Sequence, residues 1–355
     1  SMMRAGMDKL LTEIVVHNSK SVAGWAAVLE EGCQLMRGLC LHDDLRRDMS
    51  CAYENGRYFI KQQGVVGALM GLSCEFRLHD GLASAALLAA RNMITTEEAV
   101  AVMAHHGAIE LIRSILSHPN ASVSLVRSAA GLMRNVCADD VRKDRLVGDG
   151  SLDLLVAVMS REEYAKDGGL VEHAVACLAQ ISLRSPSNSQ RIVSAGNALD
   201  ILAQAMRRYS DRSGLQRQGA LTIRNIAARC PELRPALLDA GFEDILRAAG
   251  RMQDAVDEAY GALRDLECEV HYVKINAEGR AEPMYEQFGA QAATGKPLQF
   301  NPIWDDDGDI EQRVADEARA PMPNAINRRS PPLPPLEEEE EEAERAHVHG
   351  ADCHH

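Results

Sequence analysis

The chain has 355 residues, 46% of them hydrophobic but only 4% aromatic, and carries a formal net charge of −14 from 52 acidic and 38 basic residues. An apolar share drawn from Ala, Leu, Val and Met favours closely packed helices over a β-sandwich or barrel, and the length allows two domains or one elongated array. The acidic balance, without basic and aromatic residues interleaved, disfavours nucleic-acid binding. No run approaches the roughly 20 apolar residues that a bilayer span needs, and the N-terminus lacks a signal-peptide h-region. The nine cysteines are odd in number and form no CxxC, so neither a disulfide framework nor zinc is expected. The expectation is a soluble, monomeric protein without membrane contact, cytoplasmic with the nucleus as a second compartment.

Ser1-Met2 reads as a scar of tag removal, which implies a natural chain extending upstream. The first apolar helical run, EEGCQLMRGLC over residues 30–40, is followed by the polar stretch LHDDLRRDMSCAYENG. A glycine then closes one apolar helical run and opens the next at Gly64, Gly107, Gly150, Gly196 and Gly241, in steps of 43, 43, 46 and 45. A polar landmark ends an Ala-rich helix at Asn92, Asn135, Gln180, Asn225 and Asp265, in steps of 43, 45, 45 and 40. Gly38 takes that position in the degenerate first unit. Two markers in register over helix-only units define a helical-repeat solenoid. Its six or so units over residues 1–275 bury their apolar faces only by stacking on one another.

Residues 276–355 hold 18 acidic and 7 basic residues, a net of −11, which leaves −3 for residues 1–275. This tail is rich in proline and poor in apolar periodicity, a composition expected to stay disordered. Within it RRSPPLPPL fits the basic-x-x-P-x-x-P pattern twice, through Arg328, Pro331 and Pro334 or Arg329, Pro332 and Pro335, a pattern that suits an SH3-type partner but that proline-rich linkers produce often. Glu337–Glu342 reads as a solvated acidic block and, being tethered, as a candidate competitor for a basic groove. Asp305, Asp306, Asp307 and Asp309 fail the calcium-loop spacing, and no metal or other cofactor is expected.

Winding each landmark helix at 100° per residue, with the landmark at position 0, separates two faces. Leu87, Ala90, Met93, Ala130, Met133, Val136, Val175, Leu178, Ile181, Ala220, Ile223, Ile226, Tyr260, Leu263 and Leu266 form the core side. The opposite strip carries Arg37, Arg91, Arg134, Arg224 and Arg264 at position −1, and Arg127 and Arg217 at −8. Seven arginines face four acids there (Glu30, Glu172, Asp257, Asp265), a net of +3, with the positive charge expected to peak around Arg127, Arg134, Arg217 and Arg224. Regularly spaced guanidinium groups suit carboxylates or phosphates. Asn92, Asn135, Gln180 and Asn225 offer donors and acceptors to an extended backbone. In the alternative reading, each Arg at −1 pairs with an acid of the adjacent turn, such as Asp139 or Asp140.

The stretches LCLHDDLRRDMSCAYENGRYFIKQQG, LVEHAVACLAQISLRSPSNSQRIVSAG, QRQGALTIRNIAARCPELRPALLDAGFEDIL and ALRDLECEV resemble the armadillo-repeat family, the resemblance covering residues 20 to 275. It implies an all-α, right-handed armadillo solenoid of three-helix units, non-catalytic, with a concave groove for extended peptides in which the landmark Asn clamps the ligand main chain. The candidate peptide-binding residues are then Arg91, Asn92, Arg127, Arg134, Asn135, Gln180, Arg217, Leu221, Arg224, Asn225 and Arg264, and the expected ligand is an acidic or phosphorylated peptide. Nuclear-import adaptors of this fold carry Trp at −4. Gln34, Leu88, Gly131, Ala176, Leu221 and Gly261 stand there, which argues against classical import signals. No GxSxG, P-loop, HExxH or Rossmann fingerprint appears. The alternatives to a peptide-binding adaptor are a rigid spacer within a larger assembly and a non-classical transport adaptor.

Overall fold

The computed structural model describes residues 6–41 and 51–270 with their side chains, and the backbone of two short strands beyond them. The chain divides into two compact units, the first ending at His271. In the second unit β1 (Val273–Ile275) pairs antiparallel with β2 (Ala281–Pro283), Lys274 standing opposite Glu282. The tail features at residues 305–309, 328–335 and 337–342 lie outside the described residues.

The first unit opens on a helix pair, α1 (Met7–Asn18) and α2 (Val22–Leu39). Three-helix units follow: α3 (Ala52–Lys61), α4 (Val65–Cys74) and α5 (Asp80–Met93); then α6 (Glu97–His105), α7 (Ala108–Leu116) and α8 (Val123–Val136). The next comprises α9 (Asp140–Gly148), α10 (Ser151–Ser160), the short α11 (Glu162–Ala165) and α12 (Gly168–Ser182). After α13 (Pro186–Ser194), α14 (Ala198–Arg208) and α15 (Ser213–Arg229) come α16 (Arg234–Asp239), α17 (Phe242–Ala249) and α18 (Val256–Asp265).

The glycine marker has a backbone cause. Gly64, Gly107, Gly150, Gly196 and Gly241 all sit at positive φ, from 55° to 86°, in the reversal between the first and second helix of a unit. A residue without Cβ adopts that left-handed conformation at no steric cost. Helix starts are marked by side chains that take up an orphan backbone N–H: Thr96 accepts from Ala99, Ser122 from Leu125, Asp139 from Arg142, Asp167 from Leu170 and Ser185 from Asn188.

The last helix of each unit packs on that of the next, in the order α2, α5, α8, α12, α15, α18. Of the fifteen core positions read from the helical winding, all but Tyr260 are at most 2% exposed. Five cysteines (Cys33, Cys40, Cys137, Cys177, Cys230) are buried as small apolar residues, and burial pushes the Cys33 and Cys40 thiols up to about 12. Polar staples repeat with the period: Tyr164 donates to Ala121 O at 2.8 Å and Tyr209 to Ala165 O at 2.7 Å, 43 and 44 residues back.

Among the described residues no single helix is long and apolar enough to cross a membrane.

Gly107→Val is expected to cost about 1–3 kcal/mol, through φ alone, because a Cβ there meets only Glu110 Oε2 at 4.0 Å. Gly148→Ala, at ordinary φ with open space around it, is expected to be neutral or to stabilise by up to about 1 kcal/mol. Urea denaturation of both variants checks the difference.

Candidate functional site

The landmark residues at position 0 stand along α5, α8, α12, α15 and α18, and three of them are committed first to the fold. Asn92 Nδ2 donates to Arg37 O at 3.3 Å, Asn135 Nδ2 to Arg91 O at 3.0 Å, and Asn225 Nδ2 to Ala179 O at 3.1 Å. Each acceptor is the position −1 carbonyl of the preceding unit, in the last turn of a helix, where it takes the amide as a second donor beside one from its own helix end. Asn225 spends a further contact on Ser182 Oγ and is 5% exposed. Asn92 and Asn135 stay half-buried and keep a carbonyl oxygen besides the stapling amide. Gln180, one methylene longer, makes no side-chain hydrogen bond among the described residues, and Leu221 is half-buried.

The arginines divide along the chain. Arg127 pairs with Asp167 at 2.5 Å, Arg217 with Glu258 at 2.9 Å and Arg224 with Asp265 at 3.7 Å, while Arg264 reaches the same Asp265 at 2.8 Å. The positive charge expected around Arg127, Arg217 and Arg224 is therefore compensated by acids. The acids of Arg127, Arg217 and Arg224 lie in the next unit, while Arg264 takes the acid beside it in the adjacent turn. Asp139 caps α9 and binds Arg142 at 3.1 Å, and Asp140 holds Lys143 at 2.7 Å and Arg184 at 3.2 Å. Neither turn acid takes Arg134, which has no ion pair or hydrogen bond among the described residues.

Arg91 is placed differently. Its side chain crosses α8 over Gly131, where a Cβ would lie 2.7 Å from Nη1, and Nη1 stands 3.0 Å from His173 Nε2 on α12. The contact joins residues 82 apart, skipping a unit, in a fold whose units ordinarily touch only their neighbours. Because a guanidinium only donates, Nε2 is the acceptor and the ring proton belongs on Nδ1, which is buried without a partner. Burial, then the charges of Arg91, Arg134 and Arg127, hold His173 down at about 4. Burial, then Arg134 and Arg37, lower Arg91 as well. The same glycine device recurs where Arg224 lies over Gly261 and Glu172 over Gly214.

Winding the helices at 100° left out His173, Glu258 and Asp167. His173 and Glu258 both stand at −7, about 20° from position 0 on the helical wheel, so an arc widened by one residue finds them. Asp167 lies before the first turn of α12, and nothing in a helical wheel places it.

No protein-family model matches the chain. The repeat order, the left-handed glycines and the stack of last helices define an armadillo-repeat solenoid, and solved structures agree. One is a designed armadillo repeat protein in complex with the peptide (KR)4, 18% identical with a TM-score of 0.59, covering 72% of this chain and 99% of that one. Another comes from work on a phosphorylation switch in the interaction between cadherin and β-catenin, 18% identical with a TM-score of 0.50, covering 65% of this chain and 44% of that one. In sequence the chain is similar to armadillo repeat-containing protein 6 of Pongo abelii, 27% identical over 197 residues, 53% of this chain and 38% of that protein. The match thus spans about two-fifths of that relative's length. Armadillo repeat proteins are in general non-enzymatic scaffolds.

Asn225→Leu is expected to cost about 1–2 kcal/mol, since it removes two buried hydrogen bonds while Ser182 Oγ still donates to Ala179 O, whereas Arg134→Gln leaves stability unchanged or slightly raised; thermal unfolding compares them. The pH dependence has a defined sign. His173 titrates near 4 folded and near 6.5 as a free side chain, so between those values the unfolded chain binds the extra proton. Stability then falls as pH drops from about 6.5 to 4, by at most about 3 kcal/mol before solvent access is discounted. His173→Gln should flatten that limb in unfolding titrations.

Proposed function

We propose that the chain is a non-catalytic scaffold that takes an extended acidic peptide along the ladder face of α2, α5, α8 and α12. The observation that carries this reading is the isolation of Arg91 and Arg134. In a ladder whose later cations are matched by acids, these two have none among the described residues, and each depresses or is depressed by its neighbours. Position −1 arginines on successive helices repeat with the unit, the arrangement an extended ligand requires. Asn92 and Asn135 flank them, and their free carbonyl oxygens offer acceptors to a ligand main chain. The designed neighbour binds a basic peptide; the sign of the exposed charge here favours the opposite ligand.

One observation favours a second reading, a spacer docked through its N-terminal end. Leu10, Trp25, Val28 and Leu35 are 44–51% exposed on α1 and α2, beside a shallow cavity of about 350 Å³ lined in part by Leu11, Ile14 and Ala27.

Fluorescence anisotropy with labelled (Glu-Ala)6 and (Lys-Ala)6 peptides separates the outcomes. The glutamate peptide should bind, and Arg91→Gln with Arg134→Gln should weaken it by about tenfold or more. Arg217→Gln with Arg224→Gln should change it by less than about threefold, because those cations are already paired. Preference for the lysine peptide, or equal loss in both double variants, removes the reading. A spacer would instead keep its native complex size on gel filtration with the Arg91 and Arg134 changes, and lose it with Val28→Glu and Leu35→Glu.

A further inference from the structure

We propose that Arg91, Arg134 and His173 together hold one phosphoryl group, so that the ladder face reads a phosphorylated side chain of its peptide and not carboxylates alone. The proposal rests on the peptide-groove reading and names the ligand chemistry at one place in it.

Three successive ladder helices contribute. Arg91 comes from α5, Arg134 from α8 and His173 from α12, and Arg91 reaches His173 only because Gly131 leaves the crossing open. Two guanidinium groups supply paired N–H donors of the geometry that phosphate oxygens accept. The imidazole stands against Arg91 through Nε2, while its Nδ1 is buried without a partner.

Charge decides between phosphate and carboxylate. The groups that face His173 are Arg91 from α5, Arg134 and Arg127 from α8, and Asp167 at the head of its own helix. Asp167 is the one acid among them, and it is already engaged by Arg127 and by the first turn of α12. The free protein therefore holds cations close together with a neutral imidazole squeezed between them. A single carboxylate offsets one charge. A phosphoryl group brings about −1.5 to −2 and three acceptor oxygens, enough to offset both arginines and to favour the imidazolium, whose protonated Nε2 gives up its contact with Arg91 Nη1 and turns both groups to the anion as donors. At Arg127, Arg217, Arg224 and Arg264 the same anion would have to displace Asp167, Glu258 or Asp265 from its arginine.

Binding should then be coupled to proton uptake at His173, whose titration moves up from about 4 when the anion arrives. The test is isothermal titration calorimetry at pH 6.5 on the full chain, in buffers of different ionisation enthalpy. The probes are acetyl-AEAEAXAEAEA-amide, with X as phosphoserine or glutamate, and inorganic phosphate alone. The phosphoserine peptide is expected to bind at least about tenfold tighter than the glutamate peptide. Arg134→Gln and Arg91→Lys should each erase that gain, and Arg224→Gln should keep it. His173→Gln should reduce the gain and remove the proton uptake that exceeds the phosphate's own. Circular dichroism establishes folding, and Arg91→Lys keeps the charge should Arg91→Gln fail to fold.

Equal affinity for the two peptides overturns the phosphoryl site and leaves the acidic groove standing. Loss of the phosphoserine gain in Arg224→Gln as large as in Arg134→Gln overturns its placement. Inorganic phosphate bound in an Arg134-dependent way, with no affinity for either peptide, supports the phosphoryl site and overturns the peptide reading. No binding of any probe overturns both.

Discussion

Everything in the described solenoid depends on one constraint: no unit can bury its apolar face alone. Each landmark helix carries a stripe of Ala, Leu, Ile, Val and Met that is sealed from water by its own unit together with the neighbouring landmark helices, in the order α2, α5, α8, α12, α15, α18. That stacking sets the distance between successive ladder positions, and it is why hydrogen bonds such as Tyr164 to Ala121 and Asn225 to Ala179 join residues 43 and 46 apart. A buried amide at such a joint contributes about 1 kcal/mol when made and costs more when one partner is lost. Register is thereby enforced at the joints that Asn92, Asn135 and Asn225 close.

The same stacking decides where charge is free. A side chain at position −1 or −8 lies across the following unit, three residues before its counterpart. It needs a small residue beneath it or an acid at its end. Arg224 has Gly261 beneath it and Asp265 within 3.7 Å, and Arg127 has Asp167. Arg91 has Gly131 beneath it but meets an imidazole where Arg127 and Arg224 meet a carboxylate. A molecule of strongly negative formal charge thus keeps a local excess of positive charge on one face, because its compensating acids are placed unit by unit rather than by overall balance.

The Asn ladder also shows how one residue serves two levels of structure. Its amide nitrogen closes a helix end of the preceding unit, which fixes the side chain's rotamer. Fixed in this way, the carbonyl oxygens of Asn92 and Asn135 would cost little further entropy to engage the ligand proposed above. Asn225, buried and stapled twice, serves the fold alone.

The sequence by itself determined the helical class, the repeat period, the glycine reversals and the core stripe. Each of these is a local property: a φ that only glycine adopts without strain, or a 3.6-residue periodicity of apolar side chains, is written within one unit. It also placed Arg91, Arg134 and the landmark amides on one strip. Only the tertiary structure decided which of those cations are spent. Pairing depends on the angle and rise from one unit to the next, which bring Asp167 to Arg127 and Glu258 to Arg217 across about forty residues of chain. The contact of Arg91 with His173 over Gly131 needs three units in place at once, and no pattern read within a single unit contains it.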